Sequence, residues 1–595
     1  MQEFREILET DTVSDSREYI NKGMQTLRSN FAGETFPTEN LAVGMKCYRI
    51  DKGRTYTLKS LDPLLWEEDG SAVKREDMTN SQLFTEAMTR EALKNITDWS
   101  HFFSKLPVME YLDLSPYPID NATKLEYLFA NDFMLKSVTG LEIGAGKEGA
   151  QGWISSSVKS FEGMFYRCES LLEFNGEVIN TRGVENLKEM FAYCRRLTKL
   201  SVGHWIMQQC KTMAGMFKGC EKLEEIDVSK WDVSNVEDFS SMFEGCNSLT
   251  ARIWKTYDKP ENQYFGISDL RAWVTTKAKN MGQMFKGCLK LGVLDLSKFD
   301  MRNVENAQGM FQDCYNLRNI VCGEHTFSTS KVKNFAHMFD SAFEGISGGG
   351  YSYYRQEPTR LLEKMDFSSA TNMTAMLRNV SLYNEEVKID KGDVDAFWDE
   401  FANHVGDEKY CARGLFLRIN ASKLDDIAQM LEGYSQDGIY LEMDTSNITN
   451  MPRLFEYCSA TCIRLKGFDT QRSIARWISW QPKETGIAHM FQGCRSLRFL
   501  ILDSQEFTFK LERKDSYNTY REDIFADLPA ECRVLVPKAL LPTYRAAPVW
   551  KEYADRIEAM EDYEFTGSSR MFVRRRRPTA EEYVRIQDTV TFRKV

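Results

Sequence analysis

Cysteines are the residues of this chain best suited to chemistry, and fourteen of them occur among its 595 residues. Thiolates carry out redox reactions and bind metals, and metal sites commonly use cysteine pairs separated by two residues. No such pair occurs, and the closest two, Cys458 and Cys462, have no histidine or second cysteine pair at zinc-site spacing. The spacing therefore predicts reduced thiols in a core, with no metal and no cofactor.

The other side chains that could perform catalysis form no recognisable motif. Six histidines are scattered without a convincing partner, and the chain has no Gly-x-Ser-x-Gly elbow, phosphate loop or zinc-protease motif. A pair of carboxylates that cleaves glycans cannot be selected from 87 acidic residues by sequence alone. We therefore predict that the protein is not an enzyme, with a glycan-cleaving spike as the alternative.

The charge and hydropathy patterns limit the partners. The net charge is -11, which argues against broad binding to nucleic acid. The run Arg574 to Arg577 is the only strong basic segment, and it predicts either phosphate contacts or a solvated or partner-docking tail. No run approaches the roughly 18 apolar residues of a membrane helix, and Met1 to Ile20 lacks the apolar core of an export signal. We expect neither a membrane span nor secretion by that route.

An internal repeat organises the middle of the chain. The pattern Met-Phe-x-x-Cys-x-x-Leu occurs six times, most often at a step of 26 residues, and begins at Met164, Met190, Met216, Met242, Met284 and Met310. Weaker copies begin at Leu128, Met338, Met376, Leu454 and Met490. Together these copies predict about eleven turns of a solenoid.

Each repeat combines two periodicities. Its first half places apolar residues at steps of three, four and three, as at Val236, Phe239, Phe243 and Cys246. That spacing predicts one buried face of a short helix. Its second half alternates, so that Leu294 and Leu296 point inward, as in a strand. We therefore predict an α/β solenoid of parallel strands and short helices over residues 105–536.

The outward residues of the strands are the candidate contacts with a partner, because stacked repeats present them in parallel rows on one surface. They are Tyr111, Asp113, Ser115, Lys199, Ser201, Glu225, Asp227, Ser229, Val293, Asp295, Ser297, Asn319, Val321, Phe499 and Ile501. The alternative for each residue is a solvated face that binds nothing. Many weak contacts on such a surface would give avidity without one tight site.

The repeat units resemble the BspA-type leucine-rich repeats of bacterial surface proteins. Residues 216–242 read MFKGCEKLEEIDVSKWDVSNVEDFSSM, and residues 284–310 read MFKGCLKLGVLDLSKFDMRNVENAQGM. The resemblance covers roughly residues 105–536 and implies an adhesin-like role. Longer connections near 250–279, 341–361, 379–440 and 466–486 depart from the pattern and are expected to form loops or extra turns.

The amino-terminal segment has a different character. Its apolar residues predict a short helix with a coiled-coil-like seam and form the candidate attachment set Ile20, Met24, Leu27 and Phe31. Two alternating runs around Asp51 predict a β-hairpin over residues 43–58. Residues 12–70 resemble the amino-terminal modules of bacteriophage tail-fibre and head-fibre proteins. That resemblance implies attachment to the virion and, commonly, a trimer.

These observations divide the chain into four expected parts. They are a virion attachment module at 1–70, a helical connector and cap at 71–104, the solenoid at 105–536, and a closing cap with a basic tail at 537–595. We expect a virion structural protein, on a tail or projecting fibre, that binds host surface glycan or protein. The alternatives are a bacterial cell-surface adhesin and a virion decoration protein that contacts only other virion proteins.

Overall fold

The computed structural model describes most of residues 93–565 and a set of separate strands on either side. The described residues are 93–343 without 107, 115–116, 141–156, 255–262, 268–269, 271 and 324–326; 361–380 without 363–364; 385–388; and 411–565 without 421, 436–437, 474–485 and 512–523. The separate strands are Ala32–Gly33, Lys46–Arg49, Arg54–Leu61, Leu64–Glu68, Val573–Arg575, Glu582–Ile586 and Val590–Lys594.

Strands dominate the regular structure of the described residues. Numbered β1 to β23 in chain order, they are Ala32–Gly33, Lys46–Arg49, Arg54–Leu61, Leu64–Glu68, Tyr111–Asp113, Ser137–Thr139, Glu173–Asn175, Lys199–Ser201, Ala251–Trp254, Gln263–Gly266, Val293–Leu296, Asn319–Cys322, Glu385–Lys388, Cys411–Ile419, Gly438–Met443, Cys462–Lys466, Phe499–Asp503, Arg533–Val536, Ile557–Ala559, Tyr563–Phe565, Val573–Arg575, Glu582–Ile586 and Val590–Lys594. The α-helices are Ile524–Asp527 (α1) and Leu541–Ala546 (α2), and the 3₁₀ helices are Ile119–Asn121, Gly176–Val178, Trp550–Arg556 and Met560–Asp562.

The chain winds into a parallel-strand solenoid of about 13 turns, which confirms the predicted architecture. One residue per turn, polar in all but the last, marks the stacking, at Asp98, Lys124, Ser160, Asn186, Thr212, Asp238, Asn280, Asn306, Asn334, Asn372, Asp426, Asn450 and Gly486. Two of these turns are not among the eleven copies counted from the sequence. The first holds Phe102 and Phe103 at the Met-Phe position, and the eleventh, with Met430 and Leu431 there, lies in the 379–440 connection, where loops or extra turns were expected.

The segment around each Met-Phe pair is a run of tight turns, where a short helix was predicted. The N–H of Cys246 donates to the carbonyl of Phe243, whereas the N–H of Phe243 donates to Met284 in the next turn of the solenoid. Because alternate N–H groups bond to the neighbouring turn, the segment cannot form a continuous α-helix. The residues before the Met-Phe pair and before the cysteine position adopt positive φ in every turn, as at Ser241 (55°) and Gly245 (74°).

Ladders of identical side chains fill the core. Phe103, Phe129, Phe165, Phe191, Phe217, Phe243, Phe285, Phe311 and Phe339 stack with ring centroids 5.0 to 5.9 Å apart. A second ladder joins Trp205, Trp231 and Trp273 at 6.3 Å spacing. The indole of Trp231 donates to the carbonyl of Val202, 3.0 Å away, so each ring bonds across turns as well as packing.

The strands form short parallel pairs early in the solenoid and one continuous sheet late in it. β5 pairs with β6, β7 with β8 and β11 with β12. The later sheet has seven strands in the order β13 to β19, all parallel except the β13–β14 pair. The long connection after residue 250 contains the antiparallel hairpin β9–β10.

The ends of the chain carry antiparallel strands. β2 and β3 form the hairpin expected around Asp51, with Arg49 opposite Arg54, and β1 and β4 complete a four-stranded sheet. The candidate attachment residues Ile20, Met24, Leu27 and Phe31 and the connector residues 71–92 lie outside the described residues. Near the other end, Tyr544 and Trp550 are buried and pack edge to face, 4.9 Å apart, over the last turns.

No helix among the described residues is long and apolar enough to cross a membrane.

Candidate binding groove at the strand ends

The predicted surface residues fall into three classes of exposure. Tyr111, Asp113, Lys199, Ser201, Glu225, Asp227 and Val321 are exposed, and Ser229, Ser297 and Asn319 are half-buried. Ser115 lies outside the described residues. The exposed ones lie in the first turn, in the adjacent fourth and fifth turns, and in the eighth turn, so the structure does not bring all of them together into one site.

Four predicted surface residues are buried, and the prediction that they are outward contacts is wrong. Val293 and Asp295 are 8% and 6% exposed, because the hairpin that starts at Ala251 lies against their strand. Phe499 is 6% exposed and packs on Tyr563 of the closing strands, with ring centroids 5.8 Å apart.

Ile501 is the fourth of these residues and is completely buried. It lies in the middle of the seven-stranded sheet, between Arg464 on one neighbouring strand and Leu535 on the other. Leu535 is also completely buried, so both faces of the sheet are covered here. The alternation of residues along a strand shows which side chains share a face of the sheet, but it does not show whether other parts of the chain cover both faces.

A polar groove of about 660 Å³ lies where four parallel strands of the large sheet end. Its walls come from Arg418, Ile419, Asn420, Ser422, Glu442, Met443, Asp444, Ser446, Lys466, Gly467, Asp469, Ser504, Gln505, Glu506 and Thr508. The strands end together because their register aligns Ile419 with Met443, and Lys466 with both Glu442 and Asp503. Carboxyl ends of parallel strands are a common place for ligands, because the loops that follow them converge there.

Tight turns at the strand ends shape the walls of the groove. Asp444 accepts a hydrogen bond from the N–H of Ser446 at 2.9 Å, and Asp469 accepts one from the N–H of Gln471 at 2.8 Å. Such side-chain caps fix a polar turn without a helix or strand. Gly467, with φ of 80°, follows the strand closely, and a Cβ there would be 2.7 Å from the carbonyl oxygen of Met443. The walls are therefore rigid and polar.

A row of alternating charges crosses the groove. Arg418 and Lys466 both contact Glu442, at 2.8 and 2.9 Å, and the hydroxyl of Tyr440 donates to the same carboxylate at 2.8 Å. Burial raises the pKa of Glu442, but the hydrogen bonds from Lys466, Tyr440 and Arg418 outweigh it and hold the pKa below its usual value. The carboxylate therefore stays ionised and its cations stay in place.

This arrangement suits the binding of an extended polar molecule. The groove presents carboxylates, one guanidinium, one ammonium, hydroxyls and amides across four turns of the solenoid. No group of three potential metal ligands occurs in the part of the chain that the structure describes. The groove was not predicted from the sequence. The alternation of Leu415, Leu417 and Ile419 indicates one of its strands, but the groove forms only where four strands end together, and no pattern within one strand shows that.

The cysteines lie away from this groove, within the core. Of the twelve cysteines whose side chains the structure describes, eleven are buried, Cys322 is half-buried, and all have free thiols. Burial raises the pKa of the ladder thiols, such as that of Cys220. This agrees with the interpretation of the repeated cysteine as a packing residue.

Comparison with known protein families found a similarity in the repeat region. A family model described as "Mycoplasma protein of unknown function, DUF285" matches residues 75–178, 162–265 and 260–347. The match therefore reaches the ninth of the 13 turns. No curated protein matches the sequence. The chain is a repeat protein, and residues 75–347 of it are similar to the DUF285 repeat.

Proposed function

We propose that this protein is an adhesin-like binding protein and not an enzyme, and that the strand-end groove is its ligand site. The observation that carries the proposal is the row of fixed charges through Arg418, Glu442 and Lys466 across an open groove. The paired strands β14, β15 and β16 hold this row in register, so a ligand meets a preorganised surface and little ordering cost arises on binding. Its expected ligand is a host surface glycan or protein.

For the location of the protein, we propose the virion of a tailed phage, on the tail or a projecting fibre. The support is the resemblance of residues 12–70 to phage fibre modules, together with the hairpin of β2 and β3 in that segment. In this proposal the amino-terminal module binds other virion proteins, with a homotrimer as the expected assembly, and the solenoid projects away from it.

A bacterial cell-surface protein is the second candidate. The DUF285 match favours it, because that family is described for a cellular organism, Mycoplasma. Immunogold labelling of phage particles and of bacterial cells separates the two. Label on a tail or fibre supports the virion, and label on uninfected cells supports the surface protein. Label only inside the phage capsid contradicts both.

The groove is tested by binding of fluorescently labelled full-length protein to bacterial cells. Replacing Arg418 and Lys466 by alanine together removes both cations of the charge row, and we expect about tenfold weaker binding. The matched control replaces Lys211 and Lys279, two exposed lysines outside the groove, and should bind as the unaltered protein does. Equal binding by the groove variant and the control would contradict the proposal.

A further inference from the structure

Three acidic side chains line the groove beside the charge row, each shortly after the end of a strand. They are Asp444, Asp469 and Glu506, which we call the acid row. The first two belong to neighbouring turns, because the hydroxyl of Thr445 accepts the N–H of Asp469 at 2.6 Å and donates to its carbonyl oxygen at 2.8 Å. Asp444 and Glu506 are exposed, and Asp469 is half-buried. The acid row therefore lies at the surface of the groove.

No cation in the described part of the chain neutralises the acid row. Asp444 and Asp469 each use Oδ1 to accept the N–H of the residue two positions further on. None of the three carboxylates forms an ion pair with a described residue. The lining of the groove as a whole has four carboxylates and two cationic groups, so its net charge is -2.

The two rows run side by side across the strands with opposite net charge. The charge row has two cations around one carboxylate, and the side chains of Arg418 and Lys466 are 63% and 46% exposed. The acid row follows at a short distance along the chain, two residues after Glu442 and three residues after Lys466. A molecule that lies along the groove therefore meets cations on one side and uncompensated carboxylates on the other.

The neutral part of the lining favours a glycan over a peptide. Its polar members are hydroxyls and amides, from Asn420, Ser422, Ser446, Ser504, Gln505 and Thr508. Its apolar side chains, Ile419 and Met443, are both buried, so the groove offers no pocket for an apolar peptide side chain. A peptide bound by strand addition needs a free sheet edge, whereas the strands that end here, β14 to β17, each pair on both sides.

Taking the groove as the ligand site of the proposed function, we propose that its ligand is a zwitterionic glycan, in which ammonium groups and carboxylates alternate along the chain. The ammonium groups contact the acid row, and the carboxylates contact Arg418 and Lys466. Paired strands lie about 4.8 Å apart, and one sugar unit of an extended chain has a comparable length, so successive units meet successive turns. A purely anionic chain would be repelled by the acid row, and a purely cationic chain carries no anion for Arg418 and Lys466.

The test is calorimetric titration of the full-length protein with three hexasaccharides that differ in charge. Hyaluronan carries only carboxylates, N-deacetylated hyaluronan alternates carboxylates with ammonium groups, and chitosan carries only ammonium groups. The buffer is mildly acidic, which keeps the amines protonated, and has physiological ionic strength, which screens attraction to the net charge of the protein. We expect N-deacetylated hyaluronan to bind at least about ten times more tightly than either of the other two.

The acid-row variant combines Asp444→Asn with Asp469→Asn, which keeps both turn-capping oxygens and removes two charges. It should bind N-deacetylated hyaluronan about tenfold more weakly and hyaluronan no more weakly than the unaltered protein does. The matched control combines Asp232→Asn with Asp366→Asn, because these aspartates accept the same kind of N–H bond away from the groove. It should bind as the unaltered protein does. If the melting temperature of the acid-row variant falls, Glu506→Gln, which alters no turn cap, decides.

Four results would overturn the proposal. They are equal binding of hyaluronan and its N-deacetylated form, tighter binding of chitosan, tighter binding of a peptide of alternating lysine and glutamate, and unchanged binding by the acid-row variant. The variant that lacks Arg418 and Lys466 separates this failure from failure of the proposed function. If that variant still loses binding to cells, the groove is the site and only the ligand class is wrong.

Discussion

The thiol of Cys194 donates a hydrogen bond to the backbone carbonyl oxygen of Phe165 in the preceding turn, with a sulfur-to-oxygen distance of 3.2 Å. The same oxygen accepts the N–H of Cys168, so both of its lone pairs are used. Six other turns repeat the bond from sulfur to a phenylalanine carbonyl. A small apolar residue that is also a weak donor fits this position, which explains the recurrence of cysteine.

We predict that these thiols are protected in the native protein. Burial raises the pKa of Cys194, Cys220 and their equivalents, so the reactive thiolate is scarce and the reagent has no access. Titration with a thiol reagent such as Ellman's reagent should modify few cysteines under native conditions and all fourteen in guanidinium. Rapid native labelling of the ladder cysteines, located by mass spectrometry, would contradict the stacked core.

Asp132 predicts a pH dependence of stability. It occupies the cysteine position of the second turn and is completely buried. Its Oδ1 accepts the N–H of Leu106 at 2.6 Å, whereas its Oδ2 has no partner among the described residues. Burial raises the pKa of Asp132 from 3.8 to about 8, with the bond from Leu106 acting in the opposite direction.

A raised carboxyl pKa means that the folded state holds a proton that the unfolded state has released. The contribution of Asp132 to stability is therefore fully present below about pH 4, and it is lost as the pH rises to about 8. Asp132→Asn should raise the melting temperature at pH 8 and change it little at pH 4. Melting curves across this range test the prediction; an equal shift at both pH values would show that Asp132 is not the titrating group.

The ring of Tyr127 lies against Gly163 of the next turn, where a Cβ would be 2.2 Å from Cε1 of the ring, and this contact predicts a coupling between the two residues. Gly163→Ala places a Cβ at φ of 59°, which costs about 1 to 2 kcal/mol, and adds a clash with the ring of Tyr127. Gly245→Ala is the matched control, because it has the same backbone cost but its nearest neighbour, the Cα of Gly219, is 3.5 Å away.

We therefore expect Gly163→Ala to be the more destabilising of the two in urea unfolding. In a Tyr127→Ala background its cost should fall to that of Gly245→Ala, since the clash is gone. A cost that is the same with and without Tyr127 would mean that the ring does not lie over this glycine.

Buried and exposed ion pairs should differ sharply in their effect on stability. The carboxylate of Asp340 is 1% exposed and contacts Arg378 at 2.6 Å. Arg378→Met removes both guanidinium hydrogen bonds to that carboxylate but leaves His337 and Ser341 in contact with it, so we expect a loss of about 3 kcal/mol, at the low end for a broken buried pair. Lys279→Met breaks the exposed contact with Glu237, also 2.6 Å, and should cost less than about 1 kcal/mol. Similar urea midpoints for the two variants would contradict the burial of Asp340.

The stacking of the solenoid was predictable because its core chemistry repeats. Phenylalanine, cysteine and leucine recur at fixed positions, and eleven turns follow from them directly. The other two turns, which hold Leu106 and Tyr434 at the cysteine position, were not counted, although three counted copies also lack cysteine there and hold Asp132, Ala342 and Val380. The positions with positive φ were not predictable, because residues as different as Ala375 and Arg453 occupy them. Hydrogen bonds to the next turn impose that conformation.

The candidate site was much less predictable than the fold. Alternation identified the outward residues of single strands, and several, such as Tyr111 and Asp227, are indeed exposed. It did not show which strands end together, so the row from Arg418 to Lys466 was missed. It also did not show that the closing strands cover Phe499. Both facts depend on contacts between distant parts of the chain.

The most direct test of the binding account is hydrogen–deuterium exchange of the full-length protein with and without polysaccharide purified from the host envelope. We expect slower exchange at the strand-end segments 444–446 and 467–469, which contribute to the walls of the groove. The same segments should show no change in the variant that lacks Arg418 and Lys466. Protection confined to other parts of the solenoid, or no protection under conditions where the polysaccharide binds, would contradict it.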